Sequence, residues 1–303
     1  MFSANHRLLF TSQCVIGLVA TASLVWWLGL ENLYQTAGQL SPVRVGQAAF
    51  MAVVSLFVQA EKWRVLLVFL IPRASRKEAL ASLLAGMGLG LFTPGRVGEL
   101  GRGLVFSSER GKIALLTAAD RGISMAVTIL FGSLSFSLLE MHYLSLVCFS
   151  LPLLSIGTIL CICNGNAMRF RPLEKIVAVF SLVPQRAWIV SSLWAFLFNC
   201  IFFMQFSLLL SGDKEGALGA GVLAPAIFAV KSLVPISFFD IGIREGVAVW
   251  LFNKRGLNPL PAFNAAFGTF VLNVAMPGVI GWYFVARAAL KKHGIEMDRK
   301  DVE

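Results

Sequence analysis

Apolar residues dominate this chain in long runs that short polar segments interrupt. Six runs, at 8–30, 43–71, 113–139, 144–163, 187–210 and 263–289, have the length and character of helices that cross a bilayer. Two further apolar stretches, 79–106 and 226–252, are broken in the middle. The first breaks at Thr93-Pro94-Gly95-Arg96-Val97-Gly98-Glu99. The second breaks around Pro235 and again at Asp240-Ile241-Gly242-Ile243-Arg244-Glu245. Irregular backbone at membrane depth is tolerated only where protein covers it or a water-filled cavity hydrates it. Charges there mark a functional site by default.

The loops orient these elements. Arg73, Arg76 and Lys77 precede the first broken stretch, and Arg110 and Lys112 follow it, so both of its flanks read as cytoplasmic. Arg169, Arg171, Lys175 and Arg186 mark another cytoplasmic loop, in which 173–183 reads as an amphipathic surface helix. The turn Glu140-Met141-His142-Tyr143 has no Lys or Arg and reads as external. The predicted fold is an all-α polytopic membrane protein with six spanning helices and both termini inside. Two re-entrant helical hairpins enter from opposite faces as a pseudo-inverted repeat. Eight full spans is the alternative, and Lys254-Arg255 on the external side is the point of tension. The whole chain reads as one integral membrane domain, with halves at about 1–139 and 144–290, hairpins at 79–106 and 217–252, and a cytoplasmic tail at 291–303.

Composition narrows the class. The chain of 303 residues is 57% hydrophobic and 14% charged, about half the charge of an ordinary soluble domain, which leaves no room for a soluble catalytic unit. Its net charge of +10 sits in short loops, a pattern that fits orientation and anionic headgroups and excludes nucleic acid as a partner. The five cysteines lie in apolar runs and the three histidines are scattered, so no metal site, cofactor or catalytic residue is expected. No nucleotide-binding loop is present. Glu61, Lys62 and Arg64 are read as the interfacial end of the second span, with Lys62 snorkelling and Trp63 in the aromatic belt, in preference to a buried charge cluster. Asn199 and Gln205 are read as groups that bond across helices.

Chemistry concentrates at the breaks. Pro94 suits the first position of a half-helix whose free N–H groups would attract an anion, while Gly95 and Gly98 permit tight backbone. Arg96 and Arg102 are suited to bidentate phosphate contacts. Alternatively, Arg96 and Glu99 simply pair to bury the kink, and the residues alone leave both readings open. Asp120 and Arg121 read as neutralising each other at a helix end more readily than as substrate contacts. Lys231, Asp240, Arg244 and Glu245 repeat the chemistry of the first break, with Pro235 and Gly242 as its backbone breakers. There Glu245 is either an ion-pair partner or a proton carrier.

The order Pro94-Gly95-Arg96-x-Gly98-Glu99-x-x-Arg102 followed by Asp120-Arg121 resembles the flippase-like membrane region of lysylphosphatidylglycerol synthases and its stand-alone relatives. Val234-Pro235-Ile236 with Gly242-Ile243-Arg244-Glu245-Gly246 resembles that family's second element, although Phe238-Phe239-Asp240 stand where glycines are frequent. The resemblance covers nearly the whole chain. It implies translocation or transfer of an anionic, aminoacylated or isoprenoid-linked lipid across a bacterial inner membrane, with a phosphate headgroup as the partner. The chain lacks the aminoacyl-transferase domain of the full synthases, so lysyl transfer is not implied. A lipid-modifying transferase and a non-transporting subunit of a separate lipid-modifying enzyme are the alternatives, and a homo-oligomer stays open.

Overall fold

The computed structural model describes residues 22–163, 177–210, 214–234 and 242–300. The expected first span at 8–30 therefore lies largely outside the described residues, as do Pro235, Asp240 and the start of the expected surface helix at 173–183, of which 177–181 is helical. The described residues fold as helices: α1 Leu30–Gly38, α2 Pro42–Leu67, α3 Arg76–Leu91, a tight 3₁₀ return Pro94–Val105, α4 Arg110–Leu138, α5 His142–Cys163, α6 Gln185–Leu209, α7 Lys214–Leu233, α8 Ile243–Lys254, α9 Pro259–Phe270, a π turn Val271–Ala275 and α10 Met276–Lys300. Four helical stretches, Pro42–Leu67, Arg110–Leu138, Gln185–Leu209 and Pro259–Leu290, are long and apolar enough to cross a membrane; His142–Leu154 and Gly221–Leu233 are shorter apolar helices. Large apolar side chains such as Phe50, Leu134 and Leu193 point outward, while Gln205, Asn199 and Asp120 are buried. This is the distribution expected where lipid replaces water as the surrounding solvent.

Local sequence sets the boundaries. Pro42 and Pro259 occupy first-turn positions, where a missing N–H costs nothing. Ser75 and Glu78 form a reciprocal capping box that starts α3: the Glu78 N–H donates to Ser75 Oγ at 3.2 Å and the Ser75 N–H to Glu78 Oε2 at 2.8 Å. In the last long helix the irregularity is the π turn at Val271–Ala275, just ahead of the expected Pro277-Gly278 kink. Pro277 has no N–H to offer the preceding turn, which widens instead.

Two apolar clusters hold the bundle. One gathers Trp63, Leu66, Leu83, Met87 and Leu116 from α2, α3 and the start of α4. The other gathers Phe136, Phe203, Phe206, Phe228 and Leu251 from the end of α4 and from α6, α7 and α8. Helix α4 runs through both and packs against α7.

The first broken stretch is a closed hairpin, in which α3 and the 3₁₀ return lie side by side. Its glycines make that approach possible. A Cβ on Gly86 would stand 2.5 Å from Arg102 Cγ, one on Gly90 2.8 Å from Glu99 Cγ, and one on Gly98 2.5 Å from the Leu89 carbonyl carbon. Gly88, on another face of α3, meets Gly278 and Gly281 of α10, with a would-be Cβ 2.8 Å from the Gly281 carbonyl carbon. The run Gly86-x-Gly88-x-Gly90 thus serves two contacts, the small-residue packing found where helices meet inside lipid.

Candidate functional site

The return begins with two consecutive left-handed residues, Gly95 (φ 57°, ψ 15°) and Arg96 (φ 58°, ψ 32°). Glycine adopts this region freely, but an arginine there needs its surroundings to hold it. Arg121 of α4 supplies that hold, because its Nη1 donates to the Arg96 carbonyl at 2.8 Å and its Nη2 reaches the Gly95 carbonyl at 3.4 Å. Thr93 Oγ1 accepts the Gly98 N–H at 2.7 Å. This corrects the half-helix reading: Pro94 opens a 3₁₀ segment interrupted by left-handed residues, and the protein itself occupies one of the N–H groups expected to await an anion.

Glu99 is the hub. It is 5% exposed and receives Arg96 Nη2 at 2.6 Å on one oxygen; Arg121 Nη1 at 3.0 Å and Arg102 Nη2 at 3.5 Å approach the other. Arg102, 4% exposed, also donates through Nη1 to Asp120 Oδ2 at 2.8 Å and lies over the Trp63 ring at 4.8 Å. Trp63 Nε1 donates to Ser82 Oγ, which donates to the Arg102 carbonyl. Lys62 completes the group, donating to the Asp120 carbonyl at 3.0 Å and to Ser124 Oγ. Its ammonium stands 2.9 Å from Asp120 Oδ1 as a charge contact whose angles fall short of an aligned hydrogen bond. Arg96 Nε and Arg102 Nε are buried without a hydrogen-bond partner in the protein.

Two readings made from sequence are overturned here. Lys62 does not snorkel from a helix end: α2 continues to Leu67, Lys62 is 4% exposed inside the bundle, and Trp63 is fully buried rather than interfacial. Asp120 and Arg121 do not neutralise each other. Successive residues on a helix point about 100° apart, and these two turn to different partners, Asp120 to Lys62 and Arg102, Arg121 to Glu99 and the hairpin tip.

At the second break Gly242 takes φ 95° and its N–H donates to Glu245 Oε2 at 2.8 Å. Glu245 Oε1 accepts from Arg244 Nη2 at 2.7 Å, an ion pair with both side chains at most 2% exposed. Arg244 also lies over the Phe270 ring at 5.3 Å. Asn199 and Gln205 do bond across helices: Thr128 donates to Asn199, Gln205 donates to the Ala48 carbonyl, and Asn273 of the π turn donates to Gln205 Oε1 at 2.7 Å.

These groups converge on one cavity of about 500 Å³ where the two apolar clusters meet. It is lined by Arg96, Glu99 and Arg102 of the first hairpin, Asp120 and Arg121 of α4, Lys231 of α7 and Arg244 of α8, so both breaks open onto the same space. Lys62 belongs to this lining, and so do Gln59, Ser124, Thr128 and Asn273, which sequence reasoning did not assign to the site. A signal for Lys62 was available in Ser55, Gln59 and Lys62, a polar stripe at helical spacing within an apolar run.

A buried ionic cavity inside a lipid-facing helical bundle defines the class, a multi-pass membrane protein with a polar site in its interior. The comparisons then give the family. The model of the lysylphosphatidylglycerol synthase TM region matches residues 14–281, and the chain belongs to that family. No curated protein and no solved structure matches the chain significantly. The membership confers a lipid-related function in the membrane.

Proposed function

We propose that the protein binds a lipid by its phosphate headgroup and moves it between the leaflets of the bacterial inner membrane, or hands it on within that membrane. The charge balance of the cavity supports this reading. Among the described residues six basic side chains line it, against Glu99, Asp120 and the Glu245 that pairs with Arg244. A net positive charge gathered at membrane depth is costly, and an anion that joins it lowers that cost. A headgroup phosphate supplies that anion, and the arginines supply planar donors for its oxygens. Glu99 and Asp120 are each already held by two or more cations. That favours binding over acid–base chemistry, which needs a carboxyl able to exchange its proton.

The test is movement of fluorescent phospholipids in proteoliposomes, wild type against Arg96→Ala and Lys231→Gln. Accelerated scrambling that both variants reduce at least about tenfold, the worth of one strong charge-assisted contact, is the expected outcome. A folded wild-type protein that moves no phosphate-bearing lipid would defeat the proposal.

A further inference from the structure

The site also carries information about how many charges its ligand bears. Six basic side chains face the cavity among the described residues, and three carboxylates oppose them when Glu245, the partner of Arg244, is included. Three positive charges remain. Asp240 lies outside the described residues, and even if it is counted at this site two remain. A phosphodiester headgroup brings one negative charge, whereas a phosphomonoester brings nearly two at neutral pH. An aminoacylated headgroup adds an ammonium, and the carboxylates that would have to receive it are taken. Glu99 is engaged by Arg96, Arg102 and Arg121, Asp120 by Lys62 and Arg102, and Glu245 by Arg244 and the Gly242 N–H.

We infer that the ligand is a lipid whose headgroup ends in a phosphate, a phosphomonoester or diphosphate carrying two or more negative charges, and not a phosphodiester or an aminoacylated phospholipid. The inference rests on the lipid-binding reading above and narrows it. Arg121 stands at the rim of the site with its side chain 34% exposed, and Lys231 enters from the other half of the chain. Both line the cavity outside the buried Lys62–Asp120–Arg102 chain. No histidine lines the cavity among the described residues. A monoester ligand itself changes charge in the range from about pH 5 to pH 8, through its second ionisation near pH 6.

The experiment is calorimetric binding to the purified full-length protein in detergent. The probes are short-chain phosphatidic acid, phosphatidylglycerol, lysylphosphatidylglycerol and inorganic phosphate. At about pH 8 phosphatidic acid should bind about tenfold tighter than phosphatidylglycerol, and the gap should close as pH falls through about 6. Arg121→Gln and Lys231→Gln should each weaken phosphatidic acid more than phosphatidylglycerol and so shrink the gap. Equal affinity for the two lipids, or tighter binding of phosphatidylglycerol or its lysyl ester, would overturn the headgroup assignment and leave the lipid-binding reading standing. Inorganic phosphate binding as tightly as phosphatidic acid would overturn the lipid as its carrier. No binding by any probe would overturn both readings.

Discussion

The two broken segments do similar work in different ways. In the first, Glu99 gathers three arginines from two elements, and Arg121 of α4 clamps the left-handed tip. In the second, Glu245 pairs with its sequence neighbour Arg244 and caps its own helix at Gly242. The first break is thus held from outside, by charges that arrive with α4, whereas the described part of the second is largely held by itself. A carboxylate with one cationic partner leaves one charge to compensate when it is lost. A carboxylate that three cations share is a keystone, because its loss leaves several buried charges without compensation.

That contrast can be broken at several points. The largest effect belongs to the hub. Glu99→Gln should destabilise by about 3–5 kcal/mol, against about 1.5–3 for Glu245→Gln, whose amide oxygen still accepts the Gly242 N–H. Thermal unfolding in a mild detergent decides the order, and equal losses would remove the distinction between hub and pair. Next in size is packing. Gly98→Ala drives a methyl into the Leu89 carbonyl and should cost about 1–3 kcal/mol. Gly246→Ala, in the helix after the second break, meets Leu24 Cδ1 at 3.7 Å and should instead stabilise by up to about 1 kcal/mol. Opposite signs in one unfolding assay are the expected result.

The smallest effect is at the base of the first hairpin. Hydrogen bonds from the Ser75 backbone N–H and then its hydroxyl hold the Glu78 carboxyl below its ordinary value. A depressed carboxyl contributes stability above its unfolded value that is lost as pH falls through the folded one. Wild type should therefore exceed Glu78→Gln by a few tenths of a kcal/mol at neutral pH, the exposed site being screened by solvent, and the difference should fade as pH falls from the ordinary carboxyl value of about 4 through the lower folded one. A difference that persists in acid would assign the effect to helix propensity rather than to the cap.

The sequence disclosed the breaks and several of their charges because Pro94, Gly95 and Arg96 are so foreign to an apolar run. It disclosed the Arg96–Glu99 pair as one of two open readings. It left the burial of Lys62 as the less favoured of two readings, because Glu61 and Arg64 flank it and make α2 look as though it ends there. The separate partners of Asp120 and Arg121 escape the sequence for a different reason: adjacency in the chain suggests a pair, but a helix turns such neighbours apart. The widened turn at Asn273 follows from Pro277, but that it would bring an amide to Gln205 and the cavity wall depends on packing that no local pattern carries.

The crossing of Gly88 with Gly278 and Gly281 has a mechanical consequence. Backbone meets backbone there with no side chain between, so α3 and α10 have no compliant layer in which to slip. The first hairpin cannot rock on its own, because the final helix travels with it as one lever. A distance probe on α10 should therefore report a displacement of the first hairpin.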